Sequence, residues 1–228
     1  MKKLMLALTS LFTASAFSMS TASATLDISE ASDIYKNFAE LSAHYQKGID
    51  YTIETQDIPN SDVIILAIHG GEIEFGTDQI AKKIALGDYS YYIFNAKKKE
   101  DSNHDGRNDL HLTSTHYDDP IALKMIAQKS KVVSIHGVKG TEKLVYMGGL
   151  DVELRDKISK ELSDAGFRMG DTPDKLKGIS PENIVNKGKN LKGAQLELTD
   201  DLRTELTNNT SKMEKFSDAI RLAIAESK

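Results

Sequence analysis

Two short apolar runs in this 228-residue chain each end in His-Gly. Asp62-Val-Ile-Ile-Leu-Ala-Ile68 runs into His69-Gly-Gly-Glu72-Ile-Glu74-Phe-Gly-Thr77, and Lys131-Val-Val-Ser-Ile135 runs into His136-Gly137. Two histidines, one carboxylate and an open position form the ligand set of a catalytic zinc. Zinc lowers the pKa of bound water to about 7 and polarises a carbonyl. A further carboxylate, not itself a ligand, would take the water's proton. Glu197 is the candidate, because an acid inside the apolar run Ala194-Gln-Leu-Glu-Leu198 needs a reason. Glu72 and Glu74 both follow His69, and side chains two apart in extended backbone point the same way, so periodicity leaves both open as the third ligand. Neither H-E-x-x-H nor G-x-S-x-G occurs, which removes the usual zincin and serine-hydrolase signals. The chain has no cysteine, which excludes a thiolate nucleophile, thiolate ligands and disulfides.

The two imidazoles converge only if the runs before them are neighbouring parallel strands, whose carboxyl ends share one sheet edge. The pattern supports this. Strands are expected at Tyr51–Thr55, 63–68, Tyr89–Asn95, His111–Thr115, Lys131–Ile135, Glu142–Met147 and Gly193–Leu198. Between them fall amphipathic helices. One is expected over Ser29–Gln46, capped by Ser32 or Asp33, and one over Gln79–Leu86 after Thr77. Asp119-Pro120 opens a third, running to about Gln128, and Asp151–Ala165 is a fourth. A short helix is expected from Ser180-Pro181 to Asn186, then one after Thr199, and a last one beginning at Thr210 or Ser211. Alternation of this kind predicts an α/β domain of three layers, with a mostly parallel or mixed sheet.

Met1–Ala24 has the order of a secretory signal: Lys2 and Lys3, an apolar stretch too short to span a bilayer, then Ala22-Ser23-Ala24 as cleavage site. The expected mature protein is one domain, residues 25–228, secreted or periplasmic and monomeric. Losing the two lysines takes the formal charge from −5 to −7, which argues against nucleic acid as a partner. No later stretch is long and apolar enough for a membrane helix. Between the third and fourth expected strands, Asp101, Asn103, Asp105 and Asp109, with Gly106, match most of a calcium loop, but Leu112 stands where its last acid belongs.

Several separate blocks together resemble the poly-γ-glutamate hydrolase family of phages and bacteria. They are His69–Thr77, His111-Leu-Thr-Ser-Thr-His116-Tyr-Asp-Asp-Pro120, Ser134-Ile-His-Gly137, Gly148-Gly-Leu-Asp151, Asn183-Ile-Val-Asn186 and Gln195-Leu-Glu-Leu198. The resemblance implies a compact relative of carboxypeptidase A-type zinc peptidases. It implies His69, Glu74 and His136 as zinc ligands and Glu197 as general base, and a polyanionic γ-glutamyl polymer as substrate. His116, Arg155, Asn186, Lys187 and Arg203 lie in or near the blocks and are the expected substrate contacts. Where the family often has Arg, this chain has Lys187, which keeps the charge but not the planar fork. A cell-wall peptide with γ-linked glutamate is a second substrate class, and a metal-stabilised binding protein without catalysis is a third reading.

Overall fold

The β-branched run before His69 forms a strand buried on both faces, as its composition demands. Ile64, Ile65, Leu66, Ala67 and Ile68 have no exposed surface. The structure, a computed structural model, describes residues 33–227. The leader expected at residues 1–24 therefore lies outside the described residues. Among the described residues, seven strands make one mixed sheet: β1 (Tyr51–Gln56), β2 (Val63–Gly71), β3 (Ser90–Ala96), β4 (Lys131–Val138), β5 (Leu144–Gly148), β6 (Arg168–Met169) and β7 (Ala194–Thr199). Their spatial order is β1-β3-β2-β4-β7-β5-β6. The central four, β3, β2, β4 and β7, are parallel, while β1 and β5 pair antiparallel to β3 and β7.

Among the described residues, six helices cover the two faces: α1 (Phe38–His44), α2 (Thr77–Ala85), α3 (Pro120–Ile126), α4 (Val152–Asp164), α5 (Asp200–Asn208) and α6 (Thr210–Glu226). On one face Ile65, Val133, Ile135, Leu196 and Leu198 share a core with Ile80, Leu154, Ile158, Leu206 and Phe216 of α2, α4, α5 and α6. On the other, Ile64, Leu66, Tyr92, Phe94 and Val132 pack with Phe38, Leu41, Ala122 and Ile126 of α1 and α3. The architecture is thus α/β/α in three layers. Asp119 and Asp151 cap α3 and α4 through their side chains.

Strand alternation explains how the second face acquires a polar patch. Val133 and Ile135 of β4, and Ala194, Leu196 and Leu198 of β7, point into the first core. Ser134, His136, Gln195 and Glu197 must then point the other way. The register sets Ser134 beside Gln195 and His136 beside Glu197. The ladder of β2 on β3 slips between Ala67 and Gly70, so β2 is irregular at His69. Such irregularities re-aim a side chain at a strand end.

Three expected elements differ. The first helix begins at Phe38, not Ser29, because Asn37 caps it by accepting the Glu40 N–H. His111–Thr115 is no strand. It is a turn in which His116 and Tyr117 N–H groups bond the Thr113 carbonyl. The segment after Ser180 shortens to a 3-10 turn, Ile184–Asn186, capped by Asn183. The two-residue strand β6 escaped the pattern altogether, being too short to show a period.

Asp33 holds the turn at His111. It is buried at 3% side-chain exposure and accepts from Thr113 N (2.7 Å), Thr113 Oγ1 (3.0 Å), His111 Nδ1 (3.1 Å) and His116 Nδ1 (2.8 Å). Arg107 Nη1 stands 3.5 Å away. Burial opposes its charge, but the His111, His116 and Thr113 hydrogen bonds outweigh it and hold Asp33 well below its ordinary value of 3.8. A carboxylate depressed in the folded state stabilises above its unfolded value, and that contribution drains away as pH falls through the folded one. Asp33→Asn is therefore expected to destabilise by about 3–5 kcal/mol at neutral pH, as removal of one partner from a buried ionic cluster does. The gap from wild type should close in acid. Denaturant titrations at pH 7 and pH 3 check this, and an equal gap at both would count against it.

Candidate metal centre

His69 ends β2, and its ring is fixed from both sides. Nε2 lies 2.8 Å from the Leu112 carbonyl oxygen, which can only accept, so Nε2 carries the proton. In the neutral ring Nδ1 is then a lone pair. That lone pair faces Glu74 Oε1 at 2.9 Å and His136 Nδ1 at 3.1 Å. Glu74 Oε2 accepts the Gly137 N–H at 2.7 Å and stands 3.8 Å from His136 Nδ1. His136 Nε2 meets Ser134 Oγ at 2.8 Å. Each imidazole is thus tied at one nitrogen and presents the other to a shared point, as ligating histidines do. His69 and His136 are buried, at 3% and 2% exposure.

A turn sets the two carboxylates apart. The Glu74 N–H bonds the His69 carbonyl at 2.8 Å, folding Glu74 back onto the histidine. Glu72 instead uses its backbone N–H on Ala96 at the sheet edge.

Charges in this pocket are strongly coupled. Burial resists ionisation of Glu74, but His69 and His136 bring it down to about 2. Burial opposes the imidazolium of His69, yet Glu74 and the Leu112 carbonyl hold the ring above its ordinary range. Burial and the neighbouring His69 push His136 down to about 3. An acceptor cluster of this kind is satisfied by a proton on His69 or by a cation among the three groups. The donor set, two nitrogens and a carboxylate, fits zinc.

A third imidazole, absent from the sequence expectation, adjoins the site. His111 stacks on His69 with ring centroids 4.1 Å apart, and His69, Glu74 and His111 also have ligand atoms within 4.8 Å of one another. Its Nδ1–H donates to Asp33, leaving Nε2 free. At 15% exposure it lies nearer the surface than the other two rings. The signal was the His111–Pro120 block, but alternation there suggested a strand.

Glu197 sits on β7 beside His136 and is buried. Gln195 Nε2 donates to its Oε1 at 2.8 Å. Burial and the charge of Glu74 push Glu197 well above the ordinary carboxylate range, while Gln195 and the Arg203 guanidinium pull it back. Environments that drive two neighbouring carboxyls apart are how acid–base roles are divided.

The expected substrate contacts fare unevenly. Asn186 uses its whole carboxamide inside the protein: Oδ1 accepts from Leu150 and Gly193, and Nδ2 donates to Gly178 and Ser180 carbonyls. Arg203 is buried and bonds the Leu198 and Phe75 carbonyls and Asp200. A Cβ on Gly137 would come within 2.5 Å of its guanidinium carbon. These two therefore brace the site's walls. Arg155 pairs with its neighbour Asp156, Lys187 with Glu182, and half-exposed His116 with Asp33. The calcium expectation is not supported. Asp101 accepts from Asp105 and Gly106 N–H, Asn103 from Asp105, Asp105 from Arg107, and Asp109 from Ser102 and Tyr45. Leu112, at the place of the missing acid, is buried.

Imidazoles and a carboxylate thus gather at the carboxyl ends of parallel strands in an α/β/α sheet, an arrangement able to hold a metal ion. The sequence model of the poly-gamma-glutamate hydrolase family matches residues 35–221, and the chain belongs to that family. Among solved structures it is similar to a bacteriophage poly-gamma-glutamate hydrolase, at TM-score 0.77 and 31% identity, covering 86% of this chain and 98% of that one. It is also similar to a zinc-free form of YndL, at TM-score 0.76 and 31% identity over 85% and 98%. Among curated relatives it is 36% identical to the SPbeta prophage-derived protein YoqZ of Bacillus subtilis (strain 168), over 78% of this chain. It spans 63% of the length of YoqZ. YndL of the same organism is 36% identical over 77% of this chain, which spans 68% of it.

Proposed function

We propose that this protein is a zinc-dependent hydrolase of γ-glutamyl amide bonds in poly-γ-glutamate, exported by the leader at residues 1–24. The observation that carries the proposal is the meeting of His69 Nδ1 with a carboxylate oxygen 2.9 Å away and a second imidazole nitrogen 3.1 Å away. His69, Glu74 and His136 would hold the ion. Zinc there supplies Lewis acidity, a nucleophilic water at neutral pH and a polarised carbonyl. Glu197 accepts the water's proton and returns it to the leaving amine. Gly137 N–H and the buried Arg203 keep Glu74 in place. His111 Nε2, at the more exposed side, is available to the substrate amide. Family membership and the zinc-free form known for YndL support this reading.

Purified protein is expected to carry one zinc per chain and to shorten poly-γ-glutamate. Chelation should abolish that activity and added zinc restore it, with peptidoglycan fragments cleaved more slowly. Undiminished activity after chelation would remove the metal from the reaction, and preference for the fragments would change the substrate. An inert zinc protein would leave a binding role.

A further inference from the structure

Two sequence blocks, Asn183–Asn186 and Gln195–Leu198, meet in the interior at Glu197. Gln195 and Glu197 are two apart on β7 and share a face. Gln195 Nε2 donates to Glu197 Oε1 at 2.8 Å. Gln195 Oε1 accepts from Asn183 Nδ2 at 2.9 Å, and Asn183 Oδ1 accepts the Val185 N–H at 3.0 Å. A backbone N–H only donates, so the polarity of the whole chain follows from Val185. Asn183 must give its oxygen to Val185 and its nitrogen to Gln195. Gln195 must then give its nitrogen to Glu197. Asn183 and Gln195 are buried at 3% and 4% exposure, so neither amide has water to turn to. Gly178, at φ +58°, packs its backbone against this amide, where an added Cβ would lie 2.8 Å from Gln195 Oε1. Reversing either amide would set two acceptors or two donors face to face in a buried network, where the cost is highest.

We infer that Gln195, oriented by Asn183, is a positioning residue that pins one oxygen of Glu197 and leaves the other for the reacting water. The inference rests on the reading of Glu197 as general base. Among the described residues no hydrogen bond is made to Glu197 Oε2, so Oε1 alone fixes the carboxylate.

The test measures kcat, KM, zinc content and thermal stability of full-length variants on poly-γ-glutamate. Gln195→Met keeps the length and removes the amide. It is expected to lower kcat on the order of 10²-fold, the cost of a small misplacement in an active site, with KM and zinc content unchanged. In a Glu197→Gln background the same change should lower residual turnover no further. Should Gln195→Met fail to fold, Asn183→Asp decides. It keeps the acceptor for Val185 but cannot donate, so Gln195 must reverse and present oxygen to Glu197, and kcat should fall as before. Wild-type kcat in a folded variant, or equal loss in both backgrounds, overturns the inference. Wild-type turnover in Glu197→Gln alone overturns the base reading, and the inference with it.

Discussion

Replacing Glu197 by Gln is expected to lower turnover on poly-γ-glutamate by roughly 10²–10⁴-fold, the usual worth of a positioned acid–base group. Zinc content should stay at one per chain. The substitution is nearly isosteric, and the amide oxygen it introduces can still accept from Gln195, so the fold has no reason to move. What disappears is a buried acid beside His136 on this face that is not already bonded to His69. Its carboxyl is poised above the ordinary range by burial and by Glu74, in the direction that suits a base working near neutrality. Stopped assays with metal analysis on the same samples check both halves. Retained turnover would take Glu197 out of the chemistry, and loss of zinc would make it a ligand or a support.

Glu74→Ala is expected to reduce zinc affinity by more than the roughly 10–100-fold that loss of an outer hydrogen-bond partner costs. His136→Ala should do the same. Glu72→Ala should leave affinity unchanged, because Glu74, not Glu72, turns back onto His69. His111→Ala should keep the metal and lower turnover, since its Nδ1 is committed to Asp33 at the more exposed side of the site. A ligand present at 100 times its Kd stabilises by about 2.7 kcal/mol, so added zinc should raise the melting temperature of wild type and of Glu72→Ala and His111→Ala, but not of the other two. Calorimetric titration measures the affinities directly. Binding lost in His111→Ala and kept in His136→Ala would exchange those two imidazoles in the ligand set.

Much of the frame is readable in the residues because local physics decides it. β2 and β4 announce themselves by β-branched runs that only a doubly covered strand accommodates. Asp119-Pro120 and Asp151 mark helix starts through bonds made within a few residues. The misreadings share the opposite cause. His111–Thr115 alternates like a strand, but its backbone is held by Asp33, about 80 positions away in the chain. Asp33 in turn looked like a helix cap because nothing local shows a partner so distant. The choice of Glu74 over Glu72 depends on a turn, which has no period. Asn186 and Arg203 carry polar groups suited to a substrate, and only their saturated internal bonds show that the walls use them.

Asp33 also ties the site to the segment ahead of the first helix. Removal of Asp33 would delete the anion that organises two imidazoles, a threonine and an arginine. One position outside the sheet thereby sets how both of these rings lie.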